Sequence, residues 1–367
     1  MNKIQIEGLY FSAEDFVSEQ KPSYFNNSDI RLKLYYFLNE WFSENEKIIL
    51  HTSGSTGKPK EIIVSKSKMI QSASMTCRFF NLNRNDKALL CLSTDYIAGK
   101  MMVVRAIYSG MDLYPVDVTG HPLAETSTAY DFAAMIPLQV YNSLSTTIER
   151  ERLSKIKNII VGGGALDAEL EKYLKDMPNT FYSTYGMTET LSHIALRRIN
   201  GEDANLYYKP LQGVDIKLSD NQTLIINAPH IADEIIETND IAEIRSDGCF
   251  KIVGRVDNII NTGGIKVQIE EIEQNLHPYI DSNFAITSIP HPKLGEAVVL
   301  LIESLNTQIN IDEQYSKIKD IVNQYQQPKY IFTVSKIPMT NNGKKDRKSI
   351  KELALNCYIE KIESTPK

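Results

Sequence analysis

The sequence predicts an α/β protein with two domains. The larger, N-terminal one carries mostly parallel sheets and a small barrel-like section, and the smaller, C-terminal one is α+β. Three observations carry this reading. First, short apolar runs, "KIIL" (47–50), "KALLCLS" (87–93), "KNIIVGGG" (157–164) and "NTFYSTYG" (179–186), alternate with amphipathic stretches such as "SKMIQSASMTCRFFNL" and "DAELEKYLKDM". That is the rhythm of parallel strands covered by crossover helices. Second, residues 206–256 change texture to short strands and turns, as in "DIKLSDNQTLIIN", which points to an antiparallel or barrel-like section. Third, the chain beyond residue 257 reads as a helix ("QIEEIEQNLH"), two strands ("NFAITSIP", "AVVLLIES"), a helix near 312–325 and a strand near 330–335. Such a unit is of ordinary domain size. The boundary falls in "GRVDN" (254–258), giving domains 1–254 and 255–367.

Composition narrows the function classes. A net charge of −6 and only short basic pairs argue against a nucleic-acid coat. No apolar segment is long enough to span a membrane, and "MNKIQIEGLYFSAEDF" lacks a leader core. The scattered cysteines Cys77, Cys91, Cys249 and Cys357 read as reduced thiols in a cytoplasmic protein. The histidines show no metal-ligand spacing.

"HTSGSTGKPKEI" (51–62) combines the hydroxyls of Thr52, Ser53, Ser55 and Thr56 with Gly54, Gly57, Lys58 and Lys60. Glycines let backbone N–H groups approach an anion, hydroxyls donate further hydrogen bonds, and lysine supplies charge, so the loop suits phosphate. It is not a P-loop, because two residues instead of four separate the glycines and Pro59 follows the lysine. Pro59 also biases Lys58 away from helical geometry, so no helix starts there. The alternative is a polar turn between two strands, since "EIIVS" follows.

Four further segments carry chemistry. "VGGGALDAELEK" (161–172) is a strand end, a three-glycine turn and a helix start with Asp167 placed to cap. One glycine satisfies a tight turn, whereas three suit a flat ligand lying against the backbone. In "YSTYGMTETLSH" (182–193), Tyr185 offers a stacking face, Thr188 a hydroxyl, and Glu189 a carboxylate suited to Mg2+ beside phosphates. The rival role there is helix capping. Asp240 in "ETNDIAEI" and Arg255 in "GRVDN" are either solvated turn charges or a grip on vicinal hydroxyls. "PMTNNGKKDRKSI" (338–350) places Lys344 in a polar loop, or else in an exposed basic tail.

In order and spacing, "TSGSTGKPK", "GGGAL", "YGMTET", "TND", "GRVDN…GGIKVQIEEIE" and "NNGKKDR" resemble the core motifs of the adenylate-forming superfamily. That superfamily comprises acyl- and aryl-CoA ligases, peptide-synthetase adenylation domains and luciferases, and the resemblance runs from about residue 47 to residue 350. It implies ATP, Mg2+ and coenzyme A as partners. It places Thr52 to Lys60 around the β/γ-phosphates and Gly162, Gly163, Gly164 and Ala165 along the adenine and acyl pocket. Tyr185 then stacks on adenine beside Gly186, Thr188 contacts phosphates and Glu189 binds Mg2+. Asp240 and Arg255 hold the ribose, and Asp257 is the hinge of a mobile C-terminal domain. Lys344 bridges carboxylate and α-phosphate during adenylation. Gly263, Gly264 and Lys266 approach after rotation, where the thiol enters.

The chain also departs from the superfamily pattern. Its phosphate loop begins at residue 52 instead of well past 100, so the resemblance leads one to expect a truncated first N-terminal subdomain, with a homodimer covering any apolar surface this leaves. "TND" and "GRVDN" vary the usual "TGD" and "GRxDD" but keep Asp240 and Asp257. Compact length and "YGMTETLSHIA" most resemble the 2-succinylbenzoate–CoA ligases of menaquinone synthesis. A substrate with two carboxylates needs a fixed cation. Lys100 in "DYIAGK" is the best placed, with His193 a weaker polar candidate and Tyr96 flanking the ring. A solvated turn lysine is the alternative for Lys100. A ligase for another aryl or medium-chain acid shares these motifs, as do a stand-alone adenylation domain and a non-catalytic nucleotide-binding protein. Retention of Lys344 and Glu189 argues against the last.

Overall fold

A computed structural model describes residues 2–18, 20–52, 60–164, 166, 168–304, 311–340 and 345–363. The chain divides into two compact units. One comprises 1–217, 225–236 and 244–251, and the other 218–224, 237–243 and 252–367.

The first unit is organised by a nine-stranded sheet. Its order is Lys209–Pro210, His193–Arg198, Thr180–Gly186, Asn158–Val161, Phe132–Met135, Lys87–Leu90, Asp112–Pro115, Lys3–Ile6 and Leu9–Ser12. Every junction from Thr180–Gly186 to Lys3–Ile6 is parallel, and the pairs at both edges are antiparallel. The central strand Phe132–Met135 is apolar and buried at every position, "FAAM", as expected where helices cover both faces of a parallel sheet. Helix Lys66–Phe80 starts where the Ser65 hydroxyl accepts the Lys68 N–H at 3.3 Å, and stops at Asn81 in the left-handed region. Helix Ile97–Ser109 ends on Gly110, φ 78°.

The run "KIIL" lies outside this sheet. It opens the strand Lys47–Thr52, which pairs antiparallel with Lys60–Ser65 as a separate two-stranded sheet. Its alternation explains the difference: Ile48 and Leu50 are buried while Ile49 is exposed, the pattern of a strand covered on one side.

Residues ahead of this hairpin build an aromatic block that the sequence reading left undescribed. Phe11, Phe16, Tyr24, Phe25 and Tyr35 stack ring on ring, with Phe25 centred 5.0 to 5.6 Å from the other four. Glu7 ties the block together by accepting from Tyr24 and Arg31, each at 2.7 Å. The strand Lys3–Ile6 adds itself to the sheet edge beside Asp112–Pro115, and the Asp112 carboxylate accepts the Gly8 N–H at 3.0 Å. Phe25 is fully buried. Phe25→Ala is expected to destabilise the first unit by about 3–5 kcal/mol, read from the denaturant midpoint at unchanged slope.

In the second unit a five-stranded sheet joins Ile265–Gln268, Ile259–Thr262, Gly295–Glu303 and Phe284–His291, with Tyr330–Val334 parallel to Gly295–Glu303. Alternate residues of its two long strands feed opposite cores. Phe284, Ile286, Val298 and Leu300 pack with helix Ile269–Leu276, and Ala285, Ile289, Val299 and Leu301 pack with helix Arg347–Glu363. That 17-residue helix stands where the sequence also allowed a basic tail. The section read as barrel-like is a four-stranded sheet with its strands in chain order, from Asp215–Leu218 to Phe250–Arg255.

Candidate active site

Ser53, Gly54, Ser55, Thr56, Gly57 and Lys58 lie outside the described residues, as do Ala165, Asp167 and Lys344. The backbone on either side of the phosphate-loop segment is described. Thr52 and Lys60 face each other as the last register pair of the hairpin, and a strand follows the loop, not a helix.

The three glycines of "GGGAL" differ in what they require. A Cβ on Gly162 would lie 2.3 Å from the Thr184 hydroxyl, so the neighbouring strand leaves it no room. Gly163 has φ +81°, a conformation costly for other residues. Gly164 meets only Pro137, at 3.6 Å, so nothing steric demands a glycine there. Tyr185 ends the next strand half-buried, its ring packed edge-on to Phe250 at 5.2 Å.

Gly186 to His193 form a locked loop. A Cβ on Gly186 would lie 2.3 Å from the Ser192 carbonyl oxygen, so the ends of the loop touch backbone to backbone. Inside it, Thr188–Thr190 make one 3₁₀ turn. Thr190 is fully buried and pins that turn: its hydroxyl accepts the Met187 N–H at 3.0 Å and donates to the Ser192 carbonyl at 2.7 Å. Leu191 then adopts φ 62°, ψ −38°, and the Ser192 N–H reaches the Thr190 carbonyl at 2.7 Å. This is a γ-turn with positive φ, strained for a leucine by roughly 1–3 kcal/mol. The result is Glu189 exposed and Thr188 half-buried on a rigid backbone. Glu189 makes no hydrogen bond or ion pair among the described residues, leaving both carboxylate oxygens available. One exposed carboxylate fits Mg2+, which keeps waters and phosphate oxygens as its other ligands.

Beneath the loop lies a group that the sequence reading missed. Arg105, on helix Ile97–Ser109, is 2% exposed. One of its guanidinium nitrogens donates to the Ser192 hydroxyl, and Nε has no hydrogen-bond partner among the described residues. No carboxylate of those residues pairs with it. Burial pushes the guanidinium down to about 10, so it stays charged at neutral pH. The Ser192 hydroxyl is also hydrogen-bonded to His193 Nδ1 at 3.3 Å, and His193 Nε2 meets Thr76 Oγ1 at 3.1 Å. Burial, and secondarily Arg105, hold the His193 pKa well below its ordinary value. His193 is therefore neutral, a relay in a hydrogen-bond chain and no counter-charge to an acid.

Lys100 is engaged on the same helix. Its ammonium lies 3.5 Å from Glu40 and 4.7 Å above the Phe37 ring, so binding a substrate carboxylate would mean exchanging that pair. Tyr96 is the exposed N-cap of the helix.

In the second unit, Arg255 forks between two carboxylates, at 2.6 Å from Asp240 and 2.9 Å from Asp257. Asn239 also donates to Asp257, at 3.1 Å. Asp240 is buried while Arg255 and Asp257 reach solvent, so the fork anchors the turn at 256–258 on the sheet behind it. Gly263 (φ 61°) and Gly264 (φ 83°) form the two-residue turn of the hairpin Ile259–Gln268, a geometry for which glycine is well suited. Lys266 follows, exposed, lining an open polar cleft of about 510 Å³ with Thr223, Glu237, Asn239, Val256 and Ile259. Beside the undescribed Lys344, Lys345 reaches Glu273 at 3.0 Å. No group of three or more His, Cys, Asp or Glu among the described residues is arranged to hold a metal, and no helix there is long and apolar enough to cross a membrane.

Comparison with known proteins places this arrangement. The family model for AMP-binding enzymes matches residues 14–232. An acyl-CoA synthetase (AMP-forming)/AMP-acid ligase II-like protein from Dyadobacter fermentans is 31% identical, with a TM-score of 0.62, and the match covers 91% of this chain and 96% of that one. The 2-succinylbenzoate–CoA ligase of Escherichia coli strain K12 is 26% identical over 320 residues, covering 82% of this chain and 67% of that protein. Its counterpart from Listeria monocytogenes is 25% identical over 348 residues, covering 86% and 72%. The chain thus spans about two thirds of the length of these curated relatives. It belongs to the AMP-binding enzymes, the adenylate-forming superfamily. Within that family it is an AMP-forming ligase that joins an acid to a thiol.

Proposed function

We propose that this enzyme activates 2-succinylbenzoate with ATP and Mg2+ and transfers the acyl group to coenzyme A. The observation that carries the choice of acid is Arg105, a buried guanidinium without a counter-ion among the described residues, behind the half-buried Ser192. An isolated buried charge is costly, and a protein that keeps one gains most when a ligand supplies the opposite charge. Arg105 takes over the role that the sequence suggested for Lys100. The planar fork of Arg105 suits a carboxylate better than an ammonium does, and displacing the Ser192 hydroxyl would free one N–H to join the unpartnered Nε–H in bidentate contact.

The remaining chemistry follows from the groups described. Attack of a carboxylate on the α-phosphorus brings anions together, and Glu189 with Mg2+, the phosphate loop and Lys344 would balance that charge. Asp240 and Arg255 would hold the ribose hydroxyls. The adenylate carbonyl would then meet the thiol, with Gly263, Gly264 and Lys266 serving the second step after a turn at Asp257.

The test is Arg105→Met, which keeps volume and removes charge. The kcat/KM for 2-succinylbenzoate should fall by the equivalent of about 2–5 kcal/mol, as for truncating one partner of a buried pair. Benzoate, lacking the second carboxylate, should lose far less. The variant should melt at the same temperature or higher, since a counter-ion-free charge has left the interior. Lys100→Ala, which leaves Glu40 unpaired at the surface, should cost less on the dicarboxylate than Arg105→Met. Equal losses on both acids would remove Arg105 from substrate recognition, and an AMP-release screen with other aryl and medium-chain acids would then reassign the substrate.

A further inference from the structure

We infer that Glu273 is a positioning residue for the adenylation half-reaction, clamping the chain that carries Lys344. The inference rests on reading Lys344 as the adenylation lysine. Glu273 sits in helix Ile269–Leu276, in the "EIE" of "QIEEIEQ", a motif with no role in the chemistry above. Its side chain is largely enclosed, with 13% exposure, yet hydrogen bonding from Arg347 and the charges of Lys345 and Arg347 outweigh the cost of that enclosure and hold it below its ordinary pKa.

Four contacts converge on it. Arg347 binds both oxygens, at 2.8 and 2.9 Å, Lys345 reaches one at 3.0 Å, and the Ile286 N–H donates to the other at 2.9 Å. Arg347 also donates to the Ile286 carbonyl at 3.2 Å. Two of the three residues that follow Lys344 are therefore tied to one carboxylate, and that carboxylate is tied to the central sheet of its unit. The residue between them closes the stem from the other side. The Asp346 N–H donates to the Pro338 carbonyl at 3.0 Å, and its carboxylate caps the next helix through Ser349.

Lys345 adjoins Lys344 in the sequence, so the clamp acts on the chain that carries that lysine. A lysine side chain has several free torsions, and a defined backbone origin is what limits its search for the reacting anions. The hairpin Ile259–Gln268, which precedes the same helix, depends less on Glu273. Four register pairs hold it, and Val267 is buried in the core with Ile269 and Ile272. Loss of the clamp should therefore separate the two half-reactions.

The experiment compares ATP–pyrophosphate exchange on 2-succinylbenzoate with thioester formation from the chemically made 2-succinylbenzoyl adenylate and coenzyme A. Glu273→Gln should lower the exchange kcat by about 10²-fold, the scale of a misplaced catalytic group. Its KM values for acid and ATP, and its thioester rate from the adenylate, should stay within about twofold. Lys345→Met, which keeps the Arg347 pair intact, should show the same split at smaller size and guards against a Gln variant that fails to fold. Unchanged exchange, or a parallel fall of both half-reactions, would overturn the proposal and leave Glu273 a structural clamp. Lys344→Ala is run alongside. If it too keeps exchange, the lysine reading fails and the positioning role falls with it; if it loses exchange while Glu273→Gln keeps it, only the positioning role fails.

Discussion

Lys344→Ala should lower ATP–pyrophosphate exchange by about 10²–10³-fold, the typical loss of one preorganised charge donor at a developing anion. The expectation follows from the chemistry of the first half-reaction. A carboxylate and a triphosphate repel each other, and an ammonium placed between the attacking oxygen and the α-phosphate is worth most where that repulsion peaks. Thioester formation from a supplied adenylate has no such need, because the phosphoanhydride bond is already broken. The variant should therefore convert synthetic adenylate at a near-normal rate. Exchange that survives unchanged would remove Lys344 from the reaction, whatever its neighbours do.

Asp257→Pro should leave adenylation nearly intact and reduce thioester formation by orders of magnitude. Proline locks φ near −65° and removes the N–H, so a chain that must turn at this residue loses the freedom to do so. The adenylating arrangement is the one expected to persist, because nucleotide would favour it by direct contact with Lys344 on the proposed reading. The control is Asp257→Ala. Both variants lose the carboxylate that accepts from Arg255 and Asn239, so any difference between them belongs to the backbone alone. Asp257→Ala should affect both steps modestly. A proline variant that makes the thioester at full rate would move the hinge elsewhere.

Much of this protein was legible in the chain because its signals are local. The parallel α/β class could be read because apolar runs and amphipathic stretches alternate within a few dozen residues. "TSGSTGKPK" could be separated from a P-loop because a proline constrains its immediate neighbour, and the structure does continue it as a strand. What stayed hidden depends on which residues meet. "KIIL" reads like any central strand, and only its pairing with Lys60–Ser65 sets it apart from the large sheet. The rings at 11, 16, 24, 25 and 35 are unremarkable singly, and only folding brings them into one block at the sheet edge.

The candidate site divides along the same line. The sequence by itself determined the family and the kinds of groups present: a phosphate loop, a carboxylate in "MTET", an aspartate and arginine in "TND" and "GRVDN", and a lysine near the C-terminus. Each is a property of a few adjacent residues. The tertiary structure decided which charges already have partners. Lys100 looked available in "DYIAGK", but Glu40, sixty positions earlier, lies against it. Arg105 in "MMVVRAIYS" was not singled out in the sequence, yet it lacks a counter-ion among the described residues and donates to Ser192, eighty-seven positions later. Whether a charge is satisfied depends on everything that surrounds it in space, and a linear sequence does not list those neighbours.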